Sequence, residues 1–384
     1  MALFVAPELD EADQRVIAMI HDRQRELRPW VAVPHRWTGL LRRVMLSQAI
    51  RGSNTIEGFT VSEDDAFAAL DEQAPIDADQ TAWQAVLGYR NAMTYVLQLA
   101  EDRTFRLSVD TLRALHFMMQ RYDLTKWPGR WRPGDVFVHD DARKRVVYQA
   151  PDAELVPDLL AELVNGINAE SAQTPVLVRA AMAHLNLVMI HPFKDGNGRM
   201  GRCLQTLLLA CGGISAAPEF ASIEEYLGMH QHDYYEVLAE VGGGSWNPGR
   251  DARPWVRFCL TAHYRQTQEV IRSGRLASDF WMLAEDEVRR AGLPERAVQP
   301  LAFALTGRAL RNSTYRQLTE DLSTVVAGRD LTRMANAGLL VFRGERRGRI
   351  YAVSPRLRDA TESITARVDK EYAVDGDPYL VSRT

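Results

Sequence analysis

Fifteen residues near the middle of the chain, Val176–Ile190, are almost entirely apolar, and this stretch constrains the fold most strongly. It is too long for a typical strand, and Leu177, Leu185 and Met189 belong to a pattern with hardly any polar face. Such a segment predicts a helix that is buried on all sides, at the centre of a large core. The helix would place His191 at its C-terminal end, where a glycine-rich run begins.

Apolar spacing of three and four residues predicts further helices along most of the chain, so the expected fold class is mainly α. These helices are expected within 11–99 (notably 40–56 and 83–99), and at 155–168, 200–211 and 255–272. Two β-rich runs, Asp135–His139 and Arg145–Tyr148, flank a polar turn and predict a short hairpin. Because an isolated hairpin is only marginally stable, it must lie on the helical core.

The C-terminal part of the chain shows a different order of elements. Helices are expected at 315–321 and 323–337, followed by β-runs at 338–342 and 348–353. Helix, helix and hairpin in this order indicate a winged helix-turn-helix domain. Residues Ser273–Asp279 are expected to form the linker that leads into it.

Composition and charge exclude several classes of protein. The 384 residues carry a net charge of −4, which argues against binding nucleic acid or anionic membrane over the whole surface. The three cysteines have no CxxC spacing, so neither a disulfide framework nor a zinc site is expected. With no export signal and no run of 18 apolar residues, we expect a cytoplasmic protein without a membrane span.

The run that follows the apolar helix combines residues suited to binding and transferring phosphate groups. It reads His191-Pro-Phe-Lys-Asp-Gly-Asn-Gly-Arg-Met-Gly-Arg202. Gly196 and Gly198 allow backbone amides to face an anion, and the N-terminus of the next helix favours negative charge. Arg199 and Arg202 are spaced three residues apart, so both guanidinium groups can project from one face of that helix.

Other side chains in this run have chemistry that fits the same role. His191 is a base that titrates near neutral pH, and Asp195 is a hard oxygen ligand suited to one Mg²⁺. Asn197 can donate its amide to a developing oxyanion, which gives it a catalytic role beside His191. Phe193 has no such chemistry and is expected to anchor the loop in the core. Taken separately, a histidine at a helix end or an Asp-Gly-Asn-Gly turn is usually structural, but the combination favours catalysis.

The run resembles, without a mismatch, the signature His-Pro-Phe-x-Asp/Glu-Gly-Asn-Gly-Arg-x-x-Arg of the Fic family. The resemblance implies a helical Fic fold and transfer of AMP from ATP to a Ser, Thr or Tyr hydroxyl of a protein. It implies that His191 is the general base and Asp195 the Mg²⁺ ligand. It also implies that Asn197 and the loop amides, including those of Gly196 and Gly198, bind the α-phosphate, while Arg199 and Arg202 hold the outer phosphates.

A second segment, Ser53-Asn-Thr-Ile-Glu-Gly58, lies far upstream near the end of a predicted helix. By itself it is typical of a capped helix end, with Gly58 just after the last turn. It resembles the family's inhibitory pattern Ser/Thr-x-x-x-Glu-Gly/Asn, which implies that Glu57 forms a bidentate ion pair with Arg202. The resting protein would then be auto-inhibited.

Two further features have both a structural and a functional interpretation. The hairpin 135–148 resembles the Fic flap, which receives the target protein as an added strand, although it could be an ordinary edge hairpin. Tyr234 and Tyr235 could pack against adenine, although such tyrosines are usually part of the core. By similarity Tyr235 is the better candidate, but the family's Asn seven residues later is Gly242 here, which leaves base selectivity open.

Residues 308–358 contain eleven arginines and four acidic residues, a local excess of seven positive charges. A winged helix with this charge would contact DNA chiefly through phosphates, with 323–337 as recognition helix and 343–349 as basic wing. The alternative is a module that docks protein or forms a dimer.

The full prediction is an ATP- and Mg²⁺-dependent protein adenylyltransferase that modifies other proteins and itself, with a homodimer as a candidate assembly. Its expected parts are an N-terminal helical region carrying the inhibitory segment (1–105), a Fic catalytic core (106–272) and a winged-helix domain (280–370). One alternative keeps the site but transfers another phosphate-containing group or removes AMP. A different class of alternative is a DNA-binding regulator whose Fic core senses ATP.

Overall fold

The computed structural model describes residues 3–32, 37–140, 145–169, 174–214, 218–319, 322–344, 349–373 and 376–380. The chain is mainly α-helical, as the sequence predicted. The larger part contains α1 (Glu11–Ala32), α2 (Thr38–Ile56), α3 (Glu63–Ala69), α4 (Gln80–Glu101), α5 (Val109–Gln120), α6 (Val156–Ala169), α7 (Val176–Ile190), α8 (Asn197–Cys211), α9 (Glu224–Met229) and α10 (Gln231–Gly242). It is followed by α11 (Arg253–Arg290), α12 (Val298–Leu305), α13 (Asn312–Leu318), α14 (Thr324–Asn336) and α15 (Pro355–Glu371).

Helix α7 lies at the centre of the larger part, with the bounds that its apolar pattern predicted. It packs closely against α8 and also contacts α6 and α11. Helix α8 begins at Asn197, three residues before the predicted start at Met200. The reason is Gly196, whose φ of 77° turns the chain so that its carbonyl accepts the first bond of the helix from Met200.

The predicted hairpin is present as strands β1 (Phe137–Asp140) and β2 (Arg145–Gln149), which pair antiparallel with a register shift between Val138 and His139. Its turn, residues 141–144, lies outside the described residues. The hairpin is attached to the end of α7, because the Tyr148 hydroxyl donates to the Met189 carbonyl at 2.9 Å. This bond holds the hairpin beside His191.

Helix α11 is 38 residues long and contains the whole segment 273–279. The prediction of a linker at Ser273–Asp279 was therefore wrong. Polar residues there suggested a break, but they pair instead: Asp279 is buried and binds Arg367 of α15 at 2.7 Å. Phe280 and Trp281, which follow directly, are buried as well. Tertiary packing of α12 and α15 against α11 keeps the helix continuous.

The C-terminal elements appear in the predicted order. Helices α13 and α14 are followed by antiparallel strands β3 (Leu340–Arg343) and β4 (Ile350–Val353). Ser323 caps α14 by accepting from Val326, which explains why that helix begins there. The tip of this second hairpin, residues 345–348, which includes most of the predicted basic wing, lies outside the described residues.

Helix α2 belongs to two parts of the molecule at once. Its first half contributes Leu40, Leu41 and Val44 to an apolar cluster that also contains most of the C-terminal core. Its second half crosses α9 at very short range, because a Cβ at Gly52 would lie 2.4 Å from the Glu224 carbonyl oxygen. This close crossing fixes the last turns of α2 beside the loop that begins at His191.

Candidate active site

The loop between α7 and α8 starts in an unusual conformation. His191 has a φ of 51°, in the left-handed region that non-glycine residues seldom adopt. Its carbonyl accepts from Arg132 Nε at 2.9 Å, and the neighbouring Pro192 carbonyl accepts from the Arg132 amide at 2.9 Å. These bonds hold the backbone in a shape that local preference alone disfavours.

Phe193 anchors the loop in the core, as predicted. It is fully buried, and its ring stacks on His116 with centroids 3.7 Å apart and an interplanar angle of 9°. The Trp131 ring also packs against the Phe193 ring, with the centroids 5.1 Å apart.

His116 holds the loop at a second point, and sequence analysis missed it. Its Nδ1 accepts from the Gly129 amide at 2.8 Å, so Nε2 carries the proton and donates to the Asp195 carbonyl at 2.9 Å. Burial lowers the pKa of His116 to about 4, which keeps this bonding pattern intact at neutral pH. No local signal in α5 distinguishes His116 from an ordinary core histidine.

Asn197 has a structural bond pattern that the sequence argument did not foresee. Its Oδ1 accepts from the Phe193 amide and its Nδ2 donates to the Phe193 carbonyl, both at 2.9 Å. The side chain is buried and closes a ring across the loop. Its predicted role toward a phosphate or an oxyanion stays a prediction.

Asp195 is half-exposed at the mouth of the loop. One oxygen accepts from the Gly196 amide at 2.6 Å, and the other forms an ion pair with Lys126 Nζ at 3.0 Å. The carboxylate therefore faces outward, where a cation can reach it. Among the described residues no group of three or more His, Cys, Asp and Glu side chains could hold a metal ion.

Arg199 is buried, but its guanidinium is not saturated. Nε and Nη1 have no hydrogen-bond partner among the residues that the structure describes. The group lies over the ring of Phe59, 5.1 Å from the centroid. Since buried guanidinium N–H groups normally bind an acceptor, Arg199 has donors available for an anion.

Arg202 is surrounded by acceptors from α2, 145 to 149 residues away in the chain. Its Nε donates to Ser53 Oγ at 2.8 Å, and its Nη2 donates to the Ser53 carbonyl at 2.9 Å and to Glu57 Oε1 at 2.7 Å. The ion pair with Glu57 is thus a single contact and not the bidentate pair that we predicted, because Ser53 takes the Nε position of the guanidinium. Burial by itself would lower the pKa of Arg202, but the electrostatic interactions with Glu57, Tyr234 and Tyr89 and the hydrogen bond to Glu57 together outweigh burial and raise the pKa.

Glu57 reaches Arg202 over Gly198. A Cβ at Gly198 would lie 2.4 Å from Glu57 Oε1, so this glycine is required for the approach of the carboxylate. Gly58 follows with a φ of 82°, as expected for the residue after a helix end.

Helix α10 holds the same helix end from the other side. The Ile56 carbonyl accepts from Gln231 Nε2 at 2.9 Å and from the Tyr235 hydroxyl at 3.0 Å. Tyr235 is half-exposed, whereas Tyr234 is buried with its hydroxyl between His184 and Arg202. Of the two tyrosines, Tyr235 is therefore the one with a face free for a ligand.

The helical fold and this loop define a protein with a Fic/DOC domain: residues 106–209 match the model of the Fic/DOC family. Among curated proteins, the chain is 25% identical over 291 residues to the protein adenylyltransferase Fic of Nematostella vectensis, covering 74% of this chain and 61% of that protein. It is 26% identical over 281 residues to protein adenylyltransferase fic-1 of Caenorhabditis elegans, covering 71% and 50%. The chain thus spans about half of the length of the curated relatives it matches.

Solved structures support the same fold. A Fic family protein from Desulfovibrio desulfuricans G20 superposes with a TM-score of 0.58 at 22% identity, covering 91% of this chain and 98% of that one. Fic-1 of C. elegans (residues 134–508) superposes with a TM-score of 0.52 at 23% identity, covering 67% and 72%. The first match extends through nearly the whole chain, so the arrangement of its helices is that of a Fic family protein.

Proposed function

We propose that this chain is a protein adenylyltransferase that moves AMP from ATP to a Ser, Thr or Tyr hydroxyl, and that Glu57 restrains it. The observation that carries the proposal is the state of the two loop arginines. Arg199 has unused donors, and Arg202 is occupied by a carboxylate of the same chain that a phosphate can replace. A base, His191, lies at the other end of the same loop.

His191 is prepared to accept a proton. Burial lowers its pKa to about 4, so the imidazole is neutral at pH 7. Its Nδ1 lies 3.2 Å from the Val188 carbonyl, which can only accept, so Nδ1 carries the proton and Nε2 has a free lone pair. In the proposed step, Nε2 takes the proton of the target hydroxyl as its oxygen bonds to the α-phosphorus. The bond from that phosphorus to the β-phosphate oxygen breaks, and pyrophosphate leaves.

The N-terminus of α8 is a suitable site for the phosphates. This helix has 15 residues, and its first amides follow Gly196, so its positive dipole end faces the loop. In the proposal the α-phosphate lies on the amides of Gly196 to Gly198 with Asn197, and Arg199 and Arg202 bind the outer phosphates. Tyr235 offers a half-exposed ring for the base.

Magnesium fits this site through Asp195. One outward-facing carboxylate, with phosphate oxygens and waters completing the shell, is how Mg²⁺ usually binds beside nucleotides. When bound, it would neutralise charge on the phosphate oxygens. Lys126 holds the same carboxylate in this structure and would have to move away.

The target protein is proposed to dock on the hairpin 135–148 as an added strand. This brings its hydroxyl to His191, because Tyr148 fixes the hairpin to the end of α7.

Self-modification, a homodimer and a cytoplasmic location are further parts of the proposal. Among the described residues, no helix combines the length and apolar character needed to cross a membrane. Transfer of a different phosphate-containing group, or removal of AMP, would use the same site. The nucleotide product distinguishes either reaction from AMP transfer.

The test is transfer from α-labelled ATP with Mg²⁺ by the purified full chain. We expect weak self-labelling of the wild type, strong labelling of Glu57→Gly, and none when His191→Ala is added. Mass spectrometry should find an AMP adduct on a hydroxyl side chain. Labelled AMP released without any protein adduct would overturn the transferase proposal.

DNA binding by a winged-helix domain at 280–370 is the second candidate function, favoured by the helix, helix and hairpin order and the excess of arginine in 308–358. A mobility-shift assay on the full chain at roughly 50 mM salt, where phosphate contacts are strong, tests it. Arg346→Ala with Arg347→Ala should weaken the binding. Arg346 and Arg347 lie outside the described residues, so their effect is argued from charge alone.

A further inference from the structure

Glu224, the first residue of α9, is a carboxylate buried beside the active-site loop that the proposed reaction does not use. It is 1% exposed. Its Oε2 accepts from the Tyr89 hydroxyl at 2.6 Å, and its Oε1 accepts from Thr206 Oγ1 at 3.1 Å. The Ser53 side chain also interacts electrostatically with this carboxylate, and its neighbour Gly52 lies against the Glu224 backbone. Burial raises the pKa of Glu224, and the hydrogen bonds from the hydroxyl donors together with the charge of Arg202 oppose this rise.

Ser53 connects this carboxylate to Arg202. Its hydroxyl accepts from Arg202 Nε at 2.8 Å, so its own hydrogen is free to donate to Glu224. Arg202 therefore has two carboxyl neighbours that differ in position. Glu57 is a direct partner with its side chain 21% exposed at the mouth of the site, whereas Glu224 is an indirect partner in the interior.

The two carboxylates also differ in their freedom to move. Glu57 follows the end of α2, and its partly exposed side chain can rotate away from Arg202. Ser53 and Glu224 are held together by the crossing of α2 and α9, where Gly52 and Gly228 let the two backbones touch. When a phosphate replaces Glu57, the bond from Arg202 to Ser53 can remain. This matters because a buried guanidinium without any partner is strongly unfavourable.

We propose that Glu224, acting through the Ser53 hydroxyl, is a positioning residue that keeps Arg202 aimed at the outer phosphates after Glu57 has left. Ser53, which the sequence assigned to inhibition, then serves the active state as well. This inference rests on the proposed role of Arg202 in ATP binding.

The test compares the affinities for ATP and AMP by calorimetry, all in the Glu57→Gly background. AMP lacks the outer phosphates, so it does not use Arg202. Ser53→Ala and Glu224→Gln should each weaken ATP binding by about tenfold, the effect of losing the alignment of one charge-assisted bond, and leave AMP binding unchanged. Ser53→Thr keeps the hydroxyl and should restore ATP affinity, which a merely structural defect would not do.

Several outcomes would overturn the inference. Unchanged ATP affinity in both variants would be the first. An equal loss of ATP and AMP affinity would be the second, because it indicates general damage to the fold. Tighter ATP binding by Glu224→Gln would be the third, because it means that Glu224 only competes with phosphate for Arg202. If Glu224→Gln fails to fold, the pair Ser53→Ala and Ser53→Thr decides alone.

The result also separates this inference from the proposed function. If Glu57→Gly binds ATP as described but transfers no AMP, the transferase proposal fails and the role of Glu224 stands. If Glu57→Gly binds no ATP at all, both fail.

Discussion

The arginines of the loop of residues 191–202 and those of the segment 308–358 have different partners. In the loop, Arg199 has donors without a partner among the described residues, and Arg202 binds a carboxylate that can leave. In the C-terminal segment, Arg311 donates to the Ala74 carbonyl and Arg316 to the Leu322 carbonyl. Arg356 binds both oxygens of Glu287.

A count of positive charges therefore does not locate an anion-binding site. Several arginines of 308–358 hold this region to α3, α11 and its own loops, and they contribute to the fold. The loop arginines are fewer, but they lie at a helix N-terminus with donors free or releasable. We expect substitutions in the loop to change activity and substitutions of the paired C-terminal arginines to change stability.

The largest expected effect is that of removing the base. His191→Ala in the Glu57→Gly background should reduce AMP transfer by roughly 10²- to 10⁴-fold, the usual contribution of a general base. The thermal midpoint should stay close to that of the parent. Initial rates with labelled ATP measure the effect, and transfer at more than a tenth of the parental rate would contradict the role of His191.

Release of Arg202 should have the next largest effect. Glu57→Gly removes a charge-assisted bond of about 1.5–3 kcal/mol, so self-modification should rise by about tenfold or more. Glu57→Gln is the matched variant that keeps the size of the side chain and loses its charge, and it should activate less because it can still donate or accept near Ser53. Equal rates for wild type and both variants would show that Glu57 does not restrain the enzyme.

Loss of an ion pair in the C-terminal region should have a smaller effect, and it should change stability and not activity. Arg356→Ala removes two bonds, at 3.0 and 2.6 Å, from the buried Glu287 carboxylate, which keeps the bond from Arg290. The free energy of unfolding should fall by about 1 kcal/mol, with AMP transfer unchanged. Arg358→Ala, an exposed position on the same helix, is the control and should change it by less than about 0.5 kcal/mol. Denaturant midpoints compare the two, and a loss of activity without a loss of stability would break the contrast.

The pH dependence should be the weakest effect. The base form of His191 is lost only as pH falls through a pKa of about 4, and removing Glu57 takes away a charge that raises this pKa. For Glu57→Gly, kcat/KM should therefore change by less than about threefold between pH 7.5 and 5.5. A free imidazole with a pKa near 6.5 would instead lose about tenfold over this interval. A tenfold fall would mean that His191 is not kept neutral by burial.

Most helices were predictable because they depend on local apolar spacing, and α7 was found with its predicted bounds. The linker at 273–279 was a failure of the same method. Polar residues such as Arg275 and Asp279 indicate exposure when read singly, but in the structure Asp279 forms ion pairs with both Arg275 and Arg367. Pairing partners almost 90 residues away carry no local signal.

The functional groups of the loop could be predicted from the sequence, because His191, Asp195, Arg199 and Arg202 lie within twelve contiguous residues. Their spacing follows from the start of a single helix. The resemblance predicted Glu57 as a partner of Arg202, but the tertiary structure was needed to show that Ser53 shares this arginine and that His116 supports the loop. These groups come from α2 and α5, and their bonds depend on how closely those helices pack. The physical reason is that backbone geometry is set locally, whereas the satisfaction of a buried charge is decided by whatever the fold packs around it.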